Sequence, residues 1–181
     1  SLPGTGQAAG TTGSKGWSSM GTRLLSSSAQ SPILSNADGK WTDYNPATTY
    51  PKTVVSTANI PMADGIKISV KVTLPADANG TVAPLPLPTI VTLTGYDKDS
   101  VNNNDPTNLY FVSQGYAHIV FDVRGTGSSE GTWQAFDDKE QADYVPMLNW
   151  VVAQKFCNGN IGIYGASLLA ISGELAAAKR H

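Results

Sequence analysis

The stretch Ile161-Gly162-Ile163-Tyr164-Gly165-Ala166-Ser167-Leu168-Leu169-Ala170 sets a serine between a short apolar run and an alanine-rich segment, with a glycine two positions before it. A strand that turns sharply into a helix at such a serine projects the hydroxyl over the edge of the sheet, where a base reaches it. Ser167 is therefore the candidate nucleophile. The helix that opens there directs backbone N–H groups at the reacting centre, so the N–H of Leu168 is placed to stabilise an oxyanion, a contribution of about 10²- to 10³-fold in rate. Taken alone these residues fit an ordinary helix cap equally well, because Leu169 stands where a G-x-S-x-G pattern has its second glycine.

Two upstream stretches change that balance. One is Leu93-Thr94-Gly95-Tyr96-Asp97-Lys98, and the other is Phe121-Asp122-Val123-Arg124-Gly125-Thr126-Gly127-Ser128-Ser129-Glu130-Gly131; each follows a predicted strand. In this order and spacing the three stretches resemble the X-prolyl dipeptidyl-peptidase and cocaine-esterase group of α/β-hydrolases, in which the middle motif reads Asp-x-Arg-Gly-x-Gly-x-Ser-x-Gly. The resemblance runs from about residue 54 to the end of the chain. It implies the N-terminal part of an α/β-hydrolase fold through the nucleophile elbow, and it places the phenol of Tyr96 as the second oxyanion-hole donor beside the N–H of Leu168. In the group the residue two after the nucleophile is often bulky and the next one small, as Leu169 and Ala170 are; Leu168 stands where an aromatic residue, usually Tyr, is common.

Other residues of chemical type receive structural readings. Asp122 and Arg124 sit at a strand-to-loop junction, where a salt bridge holding the glycine-rich loop is the simpler role. Gly125-Thr126-Gly127 is followed neither by a Walker lysine nor by the full dinucleotide glycine pattern, so no nucleotide cofactor is expected. His118 lies in a strand and before the serine, whereas this fold supplies its triad in the order Ser, then Asp or Glu, then His; a buried, satisfied histidine is expected. His181, at the far end of the helix that starts after Ser167, would sit roughly 20 Å from the hydroxyl. The triad acid and base are therefore expected outside this chain, in the remainder of the hydrolase. The two histidines and the single Cys157 match no metal-ligand spacing, and Cys157 reads as a small buried or surface residue.

The elements that must position these residues follow from periodicity. Residues 54–60 and 66–74 alternate around an Ala63-Asp64-Gly65 turn, which predicts an antiparallel hairpin with one apolar face. A loop over residues 75–88 leads to a short central strand at 89–93. A helix is predicted over 105–114, with Asp105 as cap, Pro106 at its first turn, Leu109 and Val112 facing inward and Gly115 as the stop. A strand at 116–123 and a helix at about 139–154 come next, with Pro146 imposing a kink or a late start. Asn158-Gly159-Asn160 reads as a turn, 161–164 as a buried strand and 168–179 as a helix. Strands alternating with helices predict a parallel sheet, hence an α/β class.

Residues 1–50 read as a leader rich in Gly, Ser and Thr, pinned near its end by Trp41, Tyr44 and Tyr50, and residues 51–181 as the catalytic part. The net charge of −2, with lysines and arginines scattered, offers no basic face, so no nucleic-acid or membrane-surface partner is expected. No segment approaches the about 20 apolar residues of a membrane span, and the first residues lack the regions of a signal peptide. Scarce charge and abundant Gly, Ser, Thr and Asn suggest an exported protein in mature form, extracellular or periplasmic. The expected function is acyl transfer to water from a small ester or from a peptide after proline; the alternative is a non-catalytic binding or scaffold protein on the same shell.

Overall fold

The computed structural model describes residues 47–100 and 106–179. Most of the expected leader, with Trp41 and Tyr44, lies outside the described residues, as do Asp105 and His181. At its described end, the N–H groups of Thr49 and Tyr50 both donate to the Ser113 carbonyl, at 3.1 and 2.9 Å.

Among the described residues the elements run β1 (Lys52–Pro61), β2 (Lys67–Ala76), β3 (Leu87–Thr94), α1 (Pro106–Ser113), β4 (Ala117–Asp122), α2 (Asp138–Val152), β5 (Cys157–Ile163) and α3 (Leu168–Ala178). The sheet order is β1-β2-β4-β3-β5. β1 and β2 form the predicted antiparallel hairpin, with Lys52 opposite Ala76 and Pro61 opposite Lys67. β2 continues antiparallel onto β4, whereas β3 runs parallel to both β4 and β5. The sheet is thus mixed at one end and parallel where the three chemically marked stretches emerge.

The hairpin differs from expectation in how it is buried. Val54 and Val55 of the edge strand β1 are exposed, while β2 buries Ser69, Lys71 and Thr73 as well as Ile68, Val70 and Val72. β2 lies inside the sheet between β1 and β4, and its Lys71 pairs with Asp99 at 3.0 Å while the Ser69 N–H donates to Ser129 Oγ at 2.8 Å. Helix α2 packs Tyr144, Met147, Leu148 and Val151 into the same core as Val91, Leu93, Ile119 and Phe121 of the central strands. Each such fully buried side chain contributes about 1.5–3 kcal/mol.

Three further elements depart from the sequence reading. Leu109 is exposed while Val112 is fully buried, so α1 presents only part of its predicted face. Helix α2 starts at Asp138, close to the expected residue 139, with the Asp137 carboxylate capping the Glu140 N–H at 2.8 Å, but it runs through Pro146 without a late start there. Asn158-Gly159-Asn160 lies within β5, as an irregularity of its pairing with β3. Leu87 faces Cys157 and Thr89 faces Ile161, so three residues oppose one. Gly159 at φ 88° and the Asn160 N–H bond to its neighbour Asn158 Oδ1, at 2.9 Å, retain turn character inside the strand.

Candidate active site

β5 delivers the chain to the turn before α3, where the Tyr164 N–H donates to the Val91 carbonyl at 3.0 Å before the backbone turns. A Cβ at Gly165 would stand 2.6 Å from the backbone carbon of Leu169, so only glycine lets the incoming chain pass beneath the first turn of α3. Gly173, further along α3, plays the same part against Ile163, where a Cβ would come within 2.6 Å of Cγ2. Ser167 sits at the junction with φ 55° and ψ −125°, and its hydroxyl makes no cap bond to the helix. An ordinary cap has extended backbone and spends its hydroxyl on the helix N–H groups; Ser167 does neither. Holding a non-glycine residue in this region costs about 1–3 kcal/mol. Ser167 is also exposed, and Leu168, as the first residue of α3, has its N–H ahead of the intrahelical ladder.

The loop after β3 comes against the start of α3. A Cβ at Gly95 would lie 3.3 Å from Leu168 Cδ2 and 3.2 Å from Trp133 Cζ2, so the end of β3, the start of α3 and the loop after β4 converge there. Tyr96 follows, 56% exposed, with its N–H donated to Thr94 Oγ1 at 2.9 Å, and Asp97 takes φ 85° to turn the chain away.

The loop is anchored by Asp122, which is fully buried. One of its carboxylate oxygens accepts the Lys98 N–H; the other accepts the Ser128 N–H at 2.8 Å and lies 3.3 Å from the Lys98 ammonium. The Lys98 ammonium also donates to Asp99 and to Ser128 Oγ, both at 3.1 Å. Burial pulls the Lys98 pKa down, but the hydrogen bond to Asp99 and the charge of Asp122 outweigh it and hold the ammonium above the ordinary lysine value. Asp99, bonded by Lys71 and Lys98, is held below the ordinary carboxylate value.

Arg124 does not pair with Asp122, as a single bridge across this junction would require. Its guanidinium grips Asp143 of α2 with two bonds, at 2.9 and 2.8 Å, and reaches Asp64 of the β1–β2 turn at 2.6 Å. The two motif residues therefore anchor different things, Asp122 the loops after β3 and β4, Arg124 the helix and the hairpin. The split arises where the strand ends, since Asp122 is the last residue of β4 whereas Arg124 lies in the turn that follows it.

His118 is fully buried, and its Nε2 lies 3.0 Å from Thr92 Oγ1. The Thr92 hydroxyl donates its only proton to the Tyr164 carbonyl at 3.0 Å, so it accepts from His118, and Nε2 carries a proton directed at Thr92. That nitrogen is not placed to act as a base on Ser167. Cys157 is buried and free of disulfides, and among the described residues no group of three or more His, Cys, Asp or Glu side chains is placed to hold a metal.

Sequence reasoning assigned no role to Lys98 or Trp133. Lys98 carried a signal in its position, a charged residue following a strand-ending glycine by three. Trp133, two residues past Gly131, carried none beyond its size.

Comparison with known proteins identifies the family and the fold. The family profile described as X-Pro dipeptidyl-peptidase (S15 family) matches residues 64–181. A cocaine esterase from Rhodococcus sp. (strain MB1 Bresler) is 37% identical over 122 residues, which cover 66% of this chain and 20% of the esterase. Among solved structures, a CocE/NonD family hydrolase from Staphylococcus aureus superposes with a TM-score of 0.60 at 22% identity, over 71% of this chain and 25% of the other. An α-amino acid ester hydrolase superposes with a TM-score of 0.58 at 25% identity, over 81% and 26%. The chain spans about a fifth of the length of the cocaine esterase it matches. With five strands in this order and a helix after the fifth, the fold is a part of the α/β-hydrolase fold, and the chain belongs to the X-Pro dipeptidyl-peptidase (S15) family.

Proposed function

We propose that this chain is the nucleophile-bearing part of a serine hydrolase that acts on an ester or on a peptide bond after proline. The observation that carries the reading is the backbone of Ser167, at φ 55° and ψ −125°, which exposes a hydroxyl not used to cap its helix. Ser167 Oγ attacks the substrate carbonyl carbon; the N–H of Leu168 and the phenol of Tyr96 bind the resulting oxyanion; collapse expels the alcohol or amine, and water then releases the acyl group from Ser167. The base that takes the Ser167 proton and the acid that orients it come from the remainder of the hydrolase. The open edge of β5 is where further strands join, and beside it an apolar cavity of about 410 Å³ is lined by Leu148, Val152, Ile161, Ile163 and Ala177.

Treatment of the full-length protein with a fluorophosphonate, followed by intact and peptide mass spectrometry, tests the reading. A single adduct on the Ser167 peptide, abolished in Ser167→Ala, is expected. Folded full-length protein that takes no adduct would instead support the binding or scaffold role.

A further inference from the structure

His118 is a buried titratable side chain that the proposed reaction does not use, and it reaches the turn before α3 through one intermediary. In the parallel pairing of β3 with β4 it stands opposite Ile90, two residues before Thr92, so His118 and Thr92 share a face of the sheet. Both are fully buried, and His118 Nε2 donates to Thr92 Oγ1 at 3.0 Å. Thr92 Oγ1 in turn donates to the Tyr164 carbonyl at 3.0 Å. The direction of this chain follows from its protons. A hydroxyl has one, and a donor on one side of the oxygen leaves that proton for the acceptor on the other. An Nε2 without its proton would compete with the Tyr164 carbonyl for it.

Tyr164 is where the chain leaves the sheet. Past its irregularity, the pairing of β5 with β3 runs only from Ile161 opposite Thr89 to Ile163 opposite Val91. Tyr164 extends that hold by one residue. Its N–H donates to the Val91 carbonyl at 3.0 Å, its carbonyl accepts from Thr92, and its ring meets that of Phe111 on α1 edge to face, with centroids 5.4 Å apart. Ala166 and Ser167 are bonded the other way, to α3, their carbonyls accepting the N–H groups of Leu169 and Ala170 at 3.1 and 3.0 Å. Gly165 alone stands between the residue fixed to the sheet and those fixed to the helix. The Tyr164 carbonyl therefore sets one end of the short turn that carries Ser167.

We propose that His118 is a positioning residue for Ser167: by donating to Thr92 it directs the Thr92 hydroxyl onto the Tyr164 carbonyl and so fixes where the turn leaves the sheet. The inference rests on Ser167 being the nucleophile. In full-length protein, kcat and KM on p-nitrophenyl acetate are measured for Thr92→Val, His118→Leu and the double variant, with kcat normalised to the fraction of Ser167 that a fluorophosphonate labels at completion. The expected result is a kcat lowered about tenfold or more in Thr92→Val and by less in His118→Leu, since a displacement of about 1 Å costs on the order of 10²-fold. KM should stay within about twofold. The double variant should be no slower than Thr92→Val, because the histidine acts through the hydroxyl. Normalised kcat unchanged in either single variant, or losses that multiply in the double variant, overturns the proposal. A second measurement uses the wild type alone: nitrogen NMR of the His118 ring in protein carrying isotope-labelled histidine should show a proton on Nε2, and a ring without one overturns the proposal as well. Wild-type protein that labels at Ser167 while either test fails sinks only the role of His118, whereas folded wild type that neither labels nor hydrolyses the ester sinks the nucleophile reading too.

Discussion

Asp122 and Lys98 are joined twice, through the backbone N–H of Lys98 and through its ammonium at 3.3 Å, and both residues are buried. The pair ties the end of β4 to the loop that carries Tyr96. The acid of the Asp-x-Arg-Gly motif therefore acts on the proposed oxyanion hole from below, by holding its loop, while Ser128 closes the other side of the carboxylate.

Asp122→Ala leaves the Lys98 ammonium buried beside an empty site and frees two backbone N–H groups. Breaking a buried pair in this way costs about 3–5 kcal/mol. Urea denaturation of the full-length protein should show a loss on that scale; a loss under about 1 kcal/mol would mean that the loops hold without the carboxylate.

Gly127 and Gly80 both have positive φ, at 50° and 86°, yet a Cβ at Gly80 meets nothing within 4 Å whereas one at Gly127 would overlap the Asp122 carboxylate. Alanine at Gly80 adds only backbone strain. Gly127→Ala adds a collision with a buried charged group and should be worse by about 1–3 kcal/mol. Thermal midpoints of the two variants measured side by side check the difference, and equal midpoints would contradict the packing described around Asp122.

Ser167→Gly removes the hydroxyl and the strain together. Because glycine accepts φ 55° without steric cost, the variant should gain about 1 kcal/mol in stability while losing all fluorophosphonate labelling. Ser167→Ala should lose labelling without that gain, since alanine keeps the Cβ; a calorimetric comparison of the two decides it.

Asp64 is held below its ordinary value of 3.8, chiefly by the hydrogen bond from Arg124. A carboxyl depressed in the folded state contributes stability above its unfolded pKa and loses it as pH falls through the folded value. Stability should therefore decline below about pH 4, the unfolded carboxylate range, and Asp64→Asn should decline less steeply over that window. Asp64 is 47% exposed, so the effect is small. Identical pH slopes for variant and wild type would show that the Arg124–Asp64 contact carries no linkage.

The types and order of the elements were legible in the residues, because alternation, capping and glycine punctuation are local properties. So were the junctions after β3, β4 and β5, since each short apolar run there ends in a turn. What local pattern does not encode is which loops meet. Asp122 and Arg124 are two apart, yet they serve different partners, at Lys98 and at Asp143 with Asp64, because strand β4 lies between elements that arrive from both directions in sequence. Asn158-Gly159-Asn160 carries turn chemistry, and only its pairing with β3 makes it an irregularity within a strand. The place of Trp133 beside Gly95 depends on the missing Cβ atoms of Gly125 and Gly95, contacts across 8 and 38 residues of chain that exist only once the sheet has brought the ends of β3 and β4 together.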